Sequence, residues 1–175
     1  LPAICENGGG RVPPGAAARP DPSAHARLRA LLETLPPALR EGFRGFTDMS
    51  VAEVARATGL SAAQAALARA RAFTEPGLWT GRDADRAAFV AALAEAGVTA
   101  QQGGRFLTLG FGHTKAERMR QIAAELGCTR ILALGDAPND AGMLRAADRG
   151  AIVFNPHGAG LPELVGEASG RILRT

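Results

Sequence analysis

The chain has 175 residues, 46% apolar, 21% charged and 5% aromatic. That balance suits one large or two small globular domains and excludes a collagen-like chain, a disordered tail and a small disulfide scaffold. No apolar run approaches the roughly 18–20 residues that cross a bilayer, and no basic stretch leads into an apolar one at the start, so no membrane partner is expected. The formal charge is +3 and the pI about 9.6, but the basic residues are dispersed and nearly all arginine, which argues against a nucleic-acid footprint. Lys115 is the single lysine.

The chain opens on the apolar run Leu1-Pro2-Ala3-Ile4-Cys5 and reads as though it starts within a fold. Residues 1–12 read as a short strand, a turn at Gly8-Gly9-Gly10 and the start of a second strand, followed by a Pro/Gly/Ala connector from Val12 to Pro22. Leu28, Leu31, Leu32 and Leu35 recur at helical spacing behind a candidate N-cap at Asp21 or Ser23, and Pro36-Pro37 ends that helix. Ser50-Val51-Ala52-Glu53 and Ser61-Ala62-Ala63-Gln64 are capping-box patterns that open two more helices on either side of Gly59. A strand near Gly77–Trp79, a helix over Asp83–Ala96 and a strand over Arg105–Leu109 follow. From Thr114 the pattern is helix (Lys115–Leu126), strand (Arg130–Leu134), helix (Asp140–Ala147), strand (Ala151–Phe154) and a last helix near Leu161–Glu167. Strands without polar alternation, such as Ile131-Leu132-Ala133-Leu134, are those of buried parallel sheets. The C-terminal third therefore reads as half of a doubly wound α/β sheet and the middle as a separate α+β unit.

Cys5 and Cys128 have no CxxC spacing and read as buried reduced thiols of a cytoplasmic protein. His25, His113 and His157 show no zinc-ligand spacing.

The stretch with the most chemistry is Arg130 to Leu144. An apolar strand ends in Gly135-Asp136, a tight turn carries Asn139-Asp140, and a helix follows. Two carboxylates and an amide thus meet at the carboxyl end of a parallel strand, where open α/β sheets bind ligands. Hard oxygen donors there suit Mg²⁺.

Strand plus Gly-Asp-x-x-Asn-Asp resembles the fourth motif of the haloacid dehalogenase (HAD) phosphatases. In that superfamily a lysine opening the preceding helix neutralises the transferring phosphoryl group, and Lys115, in Gly112-His113-Thr114-Lys115-Ala116-Glu117, stands one helix upstream of Asp136. Pro2-Ala3-Ile4-Cys5-Glu6-Asn7-Gly8-Gly9 resembles the strand that leads from core to cap in the sugar-phosphatase branch. With Arg71-Ala72-Phe73-Thr74-Glu75-Pro76 and Gly103-Gly104-Arg105-Phe106-Leu107, the order of motifs is similar to that of the mannosyl-3-phosphoglycerate phosphatase family.

The resemblance implies an α/β protein: a HAD-like Rossmannoid core, here its C-terminal half plus one N-terminal strand, with an inserted mixed α+β cap. The boundaries expected are 1–14 for the core strand and hinge, 15–110 for the cap and 111–175 for the rest of the core. It implies Mg²⁺-dependent hydrolysis of a glycosyl-3-phosphoglycerate through a phospho-aspartyl intermediate, a small phosphorylated sugar being the partner. The catalytic set would be Lys115, Asp136, Asn139 and Asp140, with Asp136 the metal ligand. Glu6, Asn7, Gly8, Gly104 and Arg105 would face the substrate, Gly104 and Arg105 from a cap strand.

The Asp-x-Asp-Gly-Thr nucleophile motif of the superfamily does not occur in these residues, so roughly 30 or more residues are expected upstream and the chain alone is expected to be inactive. Asp83-Ala84-Asp85 has the spacing but opens a helix, where carboxylates suit the helix dipole. Three alternatives stay open: a phosphatase for another sugar phosphate, a non-catalytic HAD-like remnant, and a helix-turn-helix DNA-binding protein built on Val51–Gln64. The last is disfavoured because its second helix offers alanines around Gln64 where base-reading side chains belong. The oligomeric state is not legible.

Overall fold

The computed structural model describes residues 2–15, 22–156 and 160–175. Asp21, Leu1, His157 and most of the proline-rich connector lie outside them. The chain divides into two units, Leu1–Ala17 with His113–Thr175, and Ala18–Gly112.

The second unit is an antiparallel sheet of order β3-β4-β6-β5 with helices packed on it. Its elements are α1 (Ser23–Thr34), α2 (Pro37–Arg40), β3 (Phe43–Gly45), α3 (Val51–Thr58), α4 (Ala62–Arg69), β4 (Thr74–Trp79), α5 (Asp83–Glu95), β5 (Val98–Gly103) and β6 (Phe106–Phe111). Leu28 and Leu32 from α1 and Phe89 and Leu93 from α5 are buried against Phe43, Val98, Leu107 and Leu109 of the strands. Phe43 and Phe89 stack with their centroids 5.5 Å apart. Ser23 begins α1 without capping it, since Pro22 holds the cap position. The connection at Pro36-Pro37 is where α1 stops and Pro37 opens α2 from the first helical position, which tolerates the missing N–H.

Both capping boxes form: Ser50 Oγ accepts from Glu53 N and Ser61 Oγ from Gln64 N. Gln64 Oε1 in turn accepts from the N and Oγ of Ser61, so the one polar side chain in the first turn of α4 is committed to its own helix. Val54 and Ala65 join Phe46 and Met49 in a second small core, and Gly59 closes α3 in a left-handed conformation. The helix pair packs and caps itself.

Glu75, on the helix-covered face of β4, is fully buried. Its carboxylate accepts hydrogen bonds from His25 Nε2 on α1, from Thr47 N at 2.9 Å and from Thr47 Oγ1 at 2.7 Å. Gly45 makes room for it, since a β-carbon there would stand 2.3 Å from Glu75 Oε1. Burial pushes this carboxyl up, but the donors, His25 foremost, outweigh it and hold the group below its ordinary value of 4.5.

The first unit holds the hairpin β1 (Ala3–Cys5) and β2 (Gly10–Val12), helices α6 (Lys115–Glu125) and α7 (Ala141–Ala146), and a parallel sheet of order β7-β8-β9, formed by Leu132–Gly135, Arg149–Ile152 and Ile172–Arg174. The parallel sheet agrees with the fold class expected. Leu144 and Ala147 cover one face, meeting Ala133, Ile152, Leu161, Leu164 and Ile172.

Three expectations are corrected. No helix forms near Leu161–Glu167, and a strand, β9, follows instead. The carbonyls of Leu161, Pro162 and Val165 are taken by the guanidinium groups of Arg174 and Arg171, and Pro162 and Gly166 disfavour a helical turn. Leu132 and Leu134, expected to be buried, are 65% and 58% exposed, because among the described residues helices cover only the opposite face of β7. Cys128 is exposed and Cys5 half-buried, both as free thiols. Among the described residues no helix is long and apolar enough to cross a membrane.

Because the folded Glu75 holds its proton less tightly than an unfolded glutamate, its contribution to stability is complete above pH 4.5 and is lost as the pH falls through the folded value. The urea midpoint should therefore fall between neutral pH and pH 3, with a shallower acid limb in Glu75→Gln. An acid limb unchanged by that substitution would remove this assignment.

Candidate active site

The site grows from the carboxyl end of β7. Gly135 ends the strand, and a β-carbon there would sit 2.5 Å from Asp140 Cβ, so glycine is what lets the following turn fold back. That turn, Pro138–Asp140, is a single 3-10 turn leading straight into α7. Asp140, only 6% exposed, closes it by accepting from Asp136 N at 3.2 Å and Ala137 N at 3.3 Å through Oδ2. Its other oxygen, Oδ1, accepts from Lys115 Nζ at 2.7 Å.

Lys115 is the first residue of α6, behind the N-cap Thr114. An ammonium at a helix N-terminus opposes the helix dipole, and the Asp140 carboxylate offsets that cost. Thr114 and Glu117 form a capping box, in which Glu117 Oε2 accepts from Thr114 N at 2.7 Å. That backbone hydrogen bond is the main cause holding the Glu117 carboxyl below its ordinary range.

Asp136 is half-buried beside them, with Oδ2 accepting from Asn155 Nδ2 at 2.6 Å. Asn155 follows β8, at the same end of the neighbouring parallel strand. A cleft of about 420 Å³ opens there, lined by Asp136, Val153, Phe154, Asn155 and Pro156 among others. Sequence reasoning passed over Asn155, although a polar residue just past a predicted parallel strand was the available signal.

Asn139 Nδ2 donates to Asn7 Oδ1 at 3.0 Å. Asn7 and Glu6 both have positive φ, 59° and 47°, a conformation non-glycine residues adopt only under constraint. Gly8 supplies that constraint. With φ 104°, it lies against the start of α6 so closely that a β-carbon would stand 2.5–2.6 Å from Thr114 C, His113 O and Lys115 N. Arg118 Nε adds a hydrogen bond to Gly8 O at 3.3 Å.

The structure thus gathers Asn7, Gly8, Lys115, Asp136, Asn139 and Asp140 in one unit, with Glu6 in the adjoining turn. Gly104 and Arg105 are placed otherwise. They form the exposed two-residue turn between β5 and β6 in the second unit, with Gly104 at φ 56° and the Arg105 guanidinium 5.7 Å from the Phe106 ring centroid. The strand expected at Arg105 begins at Phe106, because Gly104 needs the left-handed turn conformation.

For a divalent cation the donor set is thin. Asp140 has both oxygens engaged, and among the described residues no three His, Cys, Asp or Glu side chains cluster to hold a metal. Asp136 fits as one carboxylate ligand of a Mg²⁺ ion that takes its remaining oxygens from water and phosphate.

No family model matches the sequence. Among solved structures, the chain is similar to BT4131, a HAD subclass IIB sugar phosphatase, with 13% identity and a TM-score of 0.53, over 97% of this chain and 67% of that one. The fold is HAD-like. The chain also matches TM0651 from Thermotoga maritima (16% identity, TM-score 0.43, 70% of this chain and 48% of that one). A structure from work on a trigonal-bipyramidal intermediate in a phosphoryl-transfer superfamily matches at 15% identity, TM-score 0.39, over 66% and 41%. This chain therefore spans between 41% and 67% of the lengths of these three structures.

Gly8→Ala should cost about 1–3 kcal/mol from the left-handed backbone alone, and more from overlap with residues 113–115. It should also loosen the hold on Lys115, whose labelling by an amine reagent is readable at one side chain because no other lysine exists. Wild-type stability together with unchanged labelling would show that the close approach is unimportant.

Proposed function

We propose that these residues are the cap (15–110) and part of the core (1–14 and 111–175) of a cytoplasmic, Mg²⁺-dependent HAD-type phosphatase. Its substrate would be the phosphomonoester of a glycosyl-3-phosphoglycerate such as mannosyl-3-phosphoglycerate. The observation that carries this reading is the 2.7 Å pair of Lys115 and Asp140 beside Asp136 at the end of a parallel strand. An ammonium held by a carboxylate on one side can offer its remaining protons to a phosphoryl oxygen on the other. Asp136, steadied by Asn155, would be the metal ligand of this chain, and bound Mg²⁺ would supply charge neutralisation at the transferring phosphoryl oxygens.

Asn139, tied to Asn7, would keep the Pro138–Asp140 turn in register with Lys115. Glu6, Asn7 and Gly8 would border the substrate, and Arg105 at its exposed turn would grip a carboxylate or phosphate through two parallel N–H donors. The attacking group would be an aspartate outside these 175 residues, forming the phospho-aspartyl intermediate. The description of BT4131 as a sugar phosphatase supports a phosphorylated sugar as the substrate class.

The 175-residue chain should release no phosphate from mannosyl-3-phosphoglycerate with Mg²⁺. The protein that also carries the Asp-x-Asp-Gly-Thr segment should release it, and Lys115→Ala or Asp136→Ala in that protein should lower kcat by about 100-fold or more. Turnover by the short chain, or near-normal kcat in either variant, contradicts the proposal.

A further inference from the structure

The second unit holds a cavity that shares no residue with the candidate active site. It opens where the end of α2, the end of β4 and the start of α5 meet, and its volume is about 450 Å³. Glu41, Gly42, Trp79, Thr80, Gly81 and Arg82 are among the residues that line it. That volume lies within the range of small-molecule sites.

Trp79 forms the aromatic wall. Its ring stands against Phe89, with centroids 5.3 Å apart, and its Nε1 donates to Arg82 O at 3.2 Å. A β-carbon at Gly42 would stand 2.7 Å from Cη2 of the indole, and one at Gly81 would stand 3.0 Å from Cζ2. A longer side chain at either position would close over the six-membered ring. Glycine at both leaves the half-buried indole as an apolar surface beside the cavity.

The rim carries both signs of charge. The exposed Glu41 carboxylate engages no partner among the described residues. Arg82 donates from Nε and Nη2 to Asp85 at 2.7 and 2.8 Å, which leaves the donors of Nη1 free. The Thr80 hydroxyl, bonded to Gly42 O at 3.4 Å, keeps its lone pairs. An anion entering here meets Glu41 and Asp85, and a cation meets Arg82. A neutral ligand that both donates and accepts hydrogen bonds suits this rim, and an apolar face suits the indole. A pyranose ring offers both, with hydroxyls around its edge and C–H groups on its face.

We propose that this cavity binds one neutral pyranose ring, whose C–H face covers Trp79 while its hydroxyls pair with Glu41 and Arg82. The inference rests on the second unit alone and not on the phosphatase reading.

Trp79 is the only tryptophan, so its emission reports on this cavity. Methyl α-D-mannopyranoside added to the 175-residue chain should shift that emission saturably, with a Kd in roughly the millimolar range. Glu41→Ala and Arg82→Ala, both at exposed positions, should each weaken binding by about 10-fold, as the loss of a hydrogen bond to a charged group does, with urea midpoints near that of the wild type. The proposal is overturned if the emission does not saturate by about 100 mM, if glycerol shifts it equally, or if either variant binds as the wild type does. Lys115→Ala should leave the Kd unchanged, and weakened binding in that variant would move the sugar to the proposed active site and overturn the inference. Sugar binding here by a protein that releases no phosphate keeps this inference and removes the proposed activity.

Discussion

One carboxylate organises the first unit. Asp140 takes two backbone N–H groups with one oxygen and the Lys115 ammonium with the other. In doing so it ties the end of β7 to the start of α6, through residues 25 apart in the sequence. With little water to share the load, each donor matters more than it would on the surface. The arrangement needs glycine twice: Gly135, so that the strand end can approach Asp140, and Gly8, so that the β1 turn can press against the first residues of α6. Asn7 then has a fixed place from which to reach Asn139. The polar end of the sheet is thus a set of mutually dependent contacts, and Asp136 meets whatever binds there from a rigid base.

Glu75 plays the corresponding part in the second unit, but with a different balance. It is the only fully buried carboxylate among the described residues, and three donors from α1 and the segment after β3 converge on it. Such a group fixes the register of helix against sheet, because a slip would leave a buried charge unsatisfied at a cost of several kcal/mol. Its chemistry is that of positioning, and the apolar cluster of Phe43, Phe89, Leu28 and Leu107 supplies the burial around it.

What the sequence disclosed follows from how local each signal is. The two capping boxes and the strand-turn-helix at 130–144 are written in neighbouring residues, and those elements form close to where the pattern puts them. Lys115 stands out by composition alone, as the one lysine in a chain whose other basic side chains are nearly all arginine. Asn155 is harder to see because its partner, Asp136, lies on another strand. The helix expected at Leu161–Glu167 fails for the same reason: its carbonyls are claimed by Arg171, just before β9, and Arg174, within it. Arg105 falls one residue short of its strand, the turn conformation of Gly104 being the deciding constraint.

The exposure of Leu132 and Leu134 belongs to a different class of discrepancy. The sequence pattern, an apolar run without polar alternation, describes a strand covered on both sides, whereas the described residues provide cover on one. Fully burying a leucine stabilises a fold by about 1.5–3 kcal/mol. Leu132, Leu134 and Leu173, each more than half exposed, therefore leave stabilisation of several kcal/mol unrealised in the described sheet. Set against a domain stability of about 5–15 kcal/mol, that is enough to decide whether the parallel sheet persists by itself.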